Sequence, residues 1–179
     1  GHADRFRLDR SGFEEDGQMF VAIHNPPLRL IVVGAVHIAQ ALVPMARIAG
    51  FDPVVVEPRA AFGSEARFPR ETIVEDWPDE ALDKLGLDAR TALVLLTHDP
   101  KLDDPALHRA LVSDAFYIGA LGSKRTHAKR VDRLTADGFS PQQIVRIKAP
   151  VGLDIGASGP AEIAVSVLAQ MIAQLRGGA

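Results

Sequence analysis

The side chains best suited to chemistry in this sequence follow apolar segments, at the points where those segments end. His98 and Asp99 come directly after Thr97 and the apolar run 92–96, and an imidazole beside a carboxylate suits proton transfer or recognition of polar groups. The same residues could instead form a turn, with Asp99 before a proline and His98 bonded to backbone. The sequence contains no cysteine and no serine in a nucleophile motif, so it does not support a hydrolase triad.

A second group of candidates lies in the segment 28–57, which has the layout of a dinucleotide-binding βαβ unit. Gly34 opens the turn after the first strand, and Glu57 ends the second strand at about the distance where such units carry a ribose-binding acid. Val36 replaces the middle glycine of the G-x-G-x-x-G/A pattern, and its methyl groups stand where the backbone would approach a diphosphate. Two interpretations stay open. The segment is a nucleotide-binding unit that binds NAD(P) weakly at best, or its turn serves packing alone and binds nothing.

Two further candidate side chains lie in or just beyond this unit. His37 begins the helix, where backbone amides attract anions and the helix field favours a neutral imidazole. Arg59, beside Glu57, suits a bidentate contact with a phosphate. A solvent-facing histidine and a surface ion pair are the alternatives.

The loop 119–125 is a second candidate anion site. Gly119 and Gly122 allow a ligand to approach the backbone closely, Ser123 suits the start of a helix, and Lys124 and Arg125 add positive charge. A solvated basic helix face is the alternative. Asp154, framed by glycines in the segment 150–156, could bind a ligand hydroxyl, cap a helix or orient a neighbour.

Alternation of strand and helix patterns predicts an α/β fold, a Rossmann-like, doubly wound and mainly parallel sheet. We predict strands at 29–33, 53–56, 72–74, 92–96, 115–118 and 144–147, and helices at 37–49, 79–85, 105–113, 124–136 and 160–175. Residues 1–27 predict a β-hairpin-like arm with strands at 6–8 and 19–23, before a Rossmann-like domain over 28–179. Ligands bind such sheets beyond the carboxyl ends of the strands, where the candidate residues stand.

Composition limits the classes of function. The 179 residues are 47% hydrophobic, which fits one domain with a substantial core. A net charge of −3 and basic clusters without aromatic residues argue against nucleic-acid binding. The histidines lack metal-site spacing, and no apolar run is long enough for a membrane span. The absence of cysteine fits a reducing compartment, so we expect a cytoplasmic protein.

Several longer motifs identify a family resemblance. The segments GAVHIAQ (34–40), VEPR (56–59), RFP (67–69), THD (97–99), YIGALGSKRTH (117–127) and PVGLDIGA (150–157) resemble the C-terminal Rossmann domain of the xanthine dehydrogenase accessory factors, the XdhC/CoxI family. The resemblance covers roughly 28–175. The family usually has glycine at the position of Val36 and aspartate at that of Glu57, and its N-terminal domain carries a cysteine associated with cofactor binding.

The resemblance implies an accessory protein, or chaperone, for maturation of a molybdenum hydroxylase of the xanthine or carbon monoxide dehydrogenase type. It implies binding of molybdenum cofactor (molybdopterin type) or a related nucleotide, and cofactor binding more than catalysis. The implied partners are the apo molybdenum hydroxylase and a separate or missing N-terminal XdhC/CoxI domain. The predicted binding residues are Gly34, Val36, His37, Glu57, Arg59, Thr97, His98, Asp99, Gly119, Gly122, Ser123, Lys124, Arg125 and Asp154.

Two alternatives stay open from the sequence. The fold type alone suggests an NAD(P)-dependent oxidoreductase with His98 as acid or base, although the sequence shows no recognisable catalytic lysine and tyrosine pair. The long apolar C-terminal helix suggests a scaffold that forms a homodimer or docks on a partner, although the same stripe also suits a core helix.

Overall fold

A sheet of six parallel strands forms the centre of the protein. The computed structural model describes residues 2–15, 17–59, 68 and 72–177. In chain order its elements are α1 (His2–Arg7), β1 (Gly12–Phe13), β2 (Phe20–Val21), β3 (Leu28–Val33), α2 (His37–Ile48), β4 (Phe51–Val56), β5 (Thr72–Val74), α3 (Pro78–Leu85), β6 (Thr91–Leu95), α4 (Pro100–Ala110), β7 (Tyr117–Ala120), α5 (Lys124–Ala136), α6 (Pro141–Ile144), β8 (Ile147–Lys148) and α7 (Gly159–Arg176).

The strand order confirms the predicted doubly wound fold. The strand order is β5-β4-β3-β6-β7-β8. The chain forms one half of the sheet outward from β3, then crosses to β6 and forms the other half of the sheet in the opposite direction. All of the pairings between these strands are parallel. This order puts a topological switch point between β3 and β6, next to the first glycine turn.

Both faces of the sheet are buried, as the continuous apolar strands predict. Leu30 and Val32 pack on one face with residues of α2 and α7, while Ile31 and Val33 pack on the other with residues of α3, α4 and α5. Within the described part of the chain, no helix is both long and apolar enough to span a membrane.

The N-terminal hairpin exists, but one of its predicted strands is wrong. Gly12–Phe13 pairs antiparallel with Phe20–Val21, whereas Phe6 and Arg7 lie in α1. The guanidinium of Arg5 donates to the Phe13 carbonyl at 2.6 Å, so α1 folds back along the hairpin and does not join a sheet. Arg90 and Arg176 donate to the carbonyls of Pro26 and Leu8, which holds the arm at the amino edge of the main sheet.

Three predicted boundaries also differ from the structure. The helix predicted from 105 begins at Pro100, because Asp99 caps it and Pro100 fixes its first turn. The strand predicted at 144–147 is preceded by α6, whose capping box joins Ser140 and Gln143. The strand predicted at 115–118 lies at Tyr117–Ala120 because its ladder partners are Ala92 to Leu95 of β6.

The segment after β8 is anchored to α7 by close packing at Gly152. The Gln170 side-chain carbonyl accepts from the Gly152 amide at 3.0 Å and from the Tyr117 hydroxyl at 2.6 Å. A Cβ on Gly152 would lie 2.2 Å from Ser166 Oγ and 3.1 Å from Ser166 Cβ, and its φ is +96°. Only glycine therefore fits this contact without displacing α7.

We predict that Gly152→Ala destabilises the fold by about 2–4 kcal/mol, because the new methyl group adds overpacking to left-handed backbone strain. The measurement is the free energy of unfolding in urea. Gly156→Ala is the matched control, since Gly156 also has a positive φ (+71°) but nothing within 4 Å of its added Cβ. The control should cost about 1–2 kcal/mol. Equal losses in the two variants would contradict the packing argument.

Candidate functional site

The candidate residues gather at the carboxyl edge of the sheet. Val33 lies opposite both Val56 and Leu95, and Leu95 lies opposite Ala120. The segments that follow β3, β4, β6 and β7 therefore leave the sheet side by side. Among the predicted binding residues, all but Gly119 lie in these segments or in the segment after β8.

The turn after β3 is tied to both neighbouring strands. Gly34 has a φ of +108°, and its amide donates to the Val56 carbonyl at 2.9 Å. A Cβ on Gly34 would lie 2.9 Å from Thr97 Cγ2, so this turn and the segment after β6 are in close contact. Gly34 thus needs to be glycine for backbone conformation and packing.

The start of α2 offers free backbone donors. Val36 is the N-cap residue and makes no side-chain cap, and its half-buried side chain packs against the core. His37 is exposed, and no described residue accepts a hydrogen bond from its amide. The first amides of a helix lack partners within the helix, so this end carries partial positive charge toward the switch point.

Glu57 is completely buried and is bonded on both carboxylate oxygens. Oε1 accepts from the Ala35 amide at 3.0 Å and from Arg59 Nη2 at 2.9 Å. Oε2 accepts from the Arg59 amide at 3.1 Å and from Arg59 Nε at 3.0 Å. The hydrogen bond to Glu57 raises the pKa of Arg59, and the charges of Asp99 and Asp103 raise it further. The guanidinium is therefore held at the end of β4 by Glu57.

The segment after β6 divides into a helix cap and an exposed imidazole. Asp99 Oδ1 accepts from the Lys101 amide at 2.9 Å, so the carboxylate caps α4, a role that the sequence analysis did not predict. His98 is exposed and has a φ of +60°, a strained conformation for a residue with a side chain. His98 is thus open to solvent, while Asp99 has a structural role in capping α4.

A buried polar cluster lies beneath this segment, and the sequence analysis did not identify it. Thr97 Oγ1 donates to Asp103 Oδ1 at 2.5 Å, and Asp103 Oδ2 lies 4.0 Å from Arg130 Nη2. Asp103 and Arg130 are each only 2% exposed. Arg130 also donates to the Leu121 carbonyl at 3.1 Å, but its Nε has no hydrogen-bond partner among the described residues. The cluster joins the segments after β6 and β7.

Burial dominates the charges of this cluster. It raises the pKa of Asp103 from 3.8 to about 6, although the hydrogen bond from Thr97 and the charge of Arg130 oppose the change. Burial lowers the pKa of Arg130, and burial together with the charge of Arg130 lowers the pKa of His127. The only signal for this cluster in the sequence is the position of Asp103, one turn after the Asp99 cap. Burial of a charged residue is not visible in sequence.

Of the five residues predicted for the loop 119–125, Gly122 and Ser123 lie in the loop after β7, while Lys124 and Arg125 begin α5. Gly119 lies inside β7, where an added Cβ would be 2.5 Å from Val151 Cγ2, so its need for glycine comes from packing. Gly122 has a φ of +132°, and Ser123 Oγ caps α5 by accepting from the Thr126 amide at 3.1 Å. Lys124 and Arg125 are exposed and form no ion pair with another described residue. These two cations are available to an anion.

A cavity of about 440 Å³ opens at this end of the sheet. Lys124 stands on one side, and the segment 150–157 with the exposed Asp154 forms the other. Leu121, Val151 and Ile163 supply apolar lining. The volume and the mixture of apolar walls with a few charged groups are typical of small-molecule sites.

The arrangement suits an anionic small molecule more than a metal ion. The described residues contain no group of three or more histidine, aspartate and glutamate side chains that could hold a metal. The predicted residues form two groups, one at the switch point (residues 34–37, 57–59 and 97–99) and one at the ends of β7 and β8 (residues 122–125 and 154), from which Lys124 and Asp154 line the cavity. Arg67 and Pro69 of the sequence motifs lie outside the described residues.

Comparison with known proteins identifies a family. The family described as the XdhC Rossmann domain matches residues 30–171. A probable xanthine dehydrogenase subunit from Bacillus subtilis is 34% identical over 89% of this chain and 47% of its own length. The molybdenum cofactor insertion chaperone PaoD of Escherichia coli is 32% identical over 90% of this chain and 44% of its own length.

A solved structure shares both the fold and the sequence. The crystal structure of a xanthine dehydrogenase from Bacillus halodurans superposes with a TM-score of 0.78 at 34% identity, over 92% of this chain and 48% of that chain. The chain thus spans about half the length or less of the relatives it matches.

We predict that the stability of the wild type, relative to Asp103→Asn, falls by about 1–3 kcal/mol as the pH rises from 4 to 6. Because the folded-state pKa of about 6 lies above the ordinary value of 3.8, the folded state binds more protons in this window. Above this pH window, the folded wild type must bury the ionised carboxylate of Asp103. Urea unfolding at several pH values measures the effect. Asp154→Asn is the control, because it removes an exposed carboxylate at the same edge; its free energy of unfolding should change with pH as that of the wild type does. If the free energies of the wild type and Asp103→Asn change with pH in parallel, the prediction is wrong.

Proposed function

Because the chain belongs to the XdhC Rossmann domain family, we propose that it is an accessory protein in the maturation of a molybdenum hydroxylase and that it binds molybdenum cofactor as cargo. The similarity to the insertion chaperone PaoD supports the cargo, and the similarity to the protein from Bacillus subtilis supports a xanthine dehydrogenase as the enzyme served. In this proposal the domain binds and releases its ligand, and no covalent bond is made or broken.

The cavity beside Lys124 is the observation on which the proposal depends. A molybdopterin has a flat heterocycle with polar edges and a phosphate, and the cavity of about 440 Å³ offers apolar walls with a cation and a carboxylate. Lys124 and Arg125 would hold the phosphate by charge. Asp154 and the exposed His98 would accept or donate at the polar edges.

The organic part of the cofactor would make the contacts with this chain. The sequence has no cysteine, so this chain supplies no thiolate to the molybdenum. Once transferred, the cofactor supplies the redox centre of the hydroxylase. In this proposal Leu121, Val151 and Ile163 exclude water from the heterocycle. Lys124 and Arg125 neutralise the phosphate.

The proposed partners are the apo hydroxylase and an N-terminal domain like that of the longer relatives. The matched relatives extend well beyond the region shared with this chain, which supports a partner domain in the same pathway. A homodimer is also proposed. α7 packs mainly on α2, and the exposed Val165 and Ile172 are the side chains it would offer to a second copy.

We predict that Lys124→Ala reduces retention of molybdenum cofactor about ten-fold, because it removes a charge-assisted contact with the phosphate. The chain is incubated with released cofactor, alone and with the N-terminal half of a relative, and desalted. Bound molybdenum and the fluorescence of the oxidised pterin are then measured.

Lys129→Ala is the matched control, because Lys129 is exposed on the same helix but lies more than one turn beyond its start. The control should retain cofactor as the wild type does. No retention by the wild type under either condition would overturn the proposed function, and equal losses in the two variants would overturn the role of Lys124.

A further inference from the structure

At the end of β4, the chain itself fills the hydrogen-bond positions of a carboxylate that a dinucleotide site leaves free for its ligand. In a dinucleotide-binding sheet the acid at this position accepts hydrogen bonds from the ribose hydroxyls of the ligand. An ionised carboxylate has about four lone-pair positions for acceptance. Glu57 receives four donors from the chain itself, one from Ala35 and three from Arg59, at 2.9–3.1 Å. Its side chain is completely buried.

We infer that Arg59 is a specificity-determining residue that closes the ribose position of this crevice. The inference deepens the proposed function, because it concerns which ligands the same crevice accepts. A ligand with a vicinal diol at the end of β4 finds no acceptor on Glu57. The crevice therefore disfavours an adenine dinucleotide, whose ribose diol needs an acceptor at this position.

Displacement of Arg59 by a ribose is unfavourable for three reasons. The Arg59–Glu57 contact is a bidentate, charge-assisted pair, which is stronger than hydrogen bonds from neutral hydroxyls. The exchange would also leave Glu57 as a buried charge paired only with neutral donors, which is costly. In addition, Asp99 and Asp103 favour the guanidinium in its present place.

Arg59 is held beside Glu57 although part of its side chain reaches the surface. About a third of the side chain is exposed, while Nε and one side of the guanidinium face Glu57. The buried carboxylate therefore fixes the orientation of the guanidinium. Val36 and Arg59 thus act at different points, Val36 at the diphosphate and Arg59 at the ribose.

The test compares ADP with 2′,3′-dideoxy-ADP, which differ in the ribose diol, by calorimetry on the full chain. The variants are Val36→Gly, which opens the diphosphate approach, and Val36→Gly combined with Arg59→Met, which also frees Glu57. We expect Val36→Gly to bind the two nucleotides with affinities equal within about two-fold. The double variant should bind ADP at least ten-fold more tightly than the dideoxy compound.

A ten-fold preference for ADP in Val36→Gly would overturn the inference, because Glu57 would then be open with Arg59 present. Equal affinities in the double variant, or no binding of either nucleotide, would also overturn it. Thermal unfolding checks that each variant is folded. Where Arg59→Met does not fold, Arg59→Lys replaces it, because one ammonium keeps the charge but cannot occupy both oxygens.

This experiment is separate from the test of the proposed function. It uses no molybdenum cofactor, so failure of the wild type to retain that cofactor leaves the diol preference of the variants unchanged. Conversely, loss of the expected diol preference leaves the cofactor-retention result in place.

Discussion

The common direction of the six strands is the constraint on which the rest of this structure depends. Parallel pairing from β5 to β8 brings every carboxyl end to one edge, so segments far apart in the sequence become neighbours. The crossover between β3 and β6 separates the helices that follow them and leaves a crevice at the switch point. Without this register, the glycine turn, the Glu57–Arg59 pair and the basic start of α5 would not share a site.

Buried polar groups connect the strands at the carboxyl edge of the sheet, and their hydrogen-bonding capacity is filled to different degrees. The Glu57 carboxylate accepts from Ala35 and Arg59, so it joins the ends of β3 and β4 as a saturated unit. The Asp103–Arg130 pair joins the ends of β6 and β7, but its charges stand 4.0 Å apart and Arg130 Nε lacks a partner among the described residues. A buried pair of this kind contributes orientation more than stability.

Glycine has two different purposes at this edge. Gly119 and Gly152 are needed because a Cβ would enter space occupied by Val151 or Ser166, which concerns packing of the last segment on α7. Gly34 and Gly122 combine a positive φ with a close neighbour, which shapes the two turns that border the candidate site. Motif matching treats these positions alike, although Gly152 lines the cavity and is also required by packing on Ser166 of α7.

The sequence by itself determined the architecture. Apolar runs buried on two faces, alternating with amphipathic segments, specify a parallel sheet with helices on both sides, and long motifs specify the family. Local signals also fix most boundaries, because caps and prolines act over a few residues. The strand predicted at 6–8 was wrong because a short apolar run carries no information about its partner.

Only the tertiary structure decided which side chains remain available. Glu57 and Arg59 each suit a ligand by residue type, yet they bond to one another. Asp103 and Arg130 resemble surface charges in sequence, yet they are buried beneath the site. Burial depends on contacts between residues distant in the chain, such as Ala35 with Glu57 and Arg130 with Asp103, and residue types with their spacing do not encode those contacts.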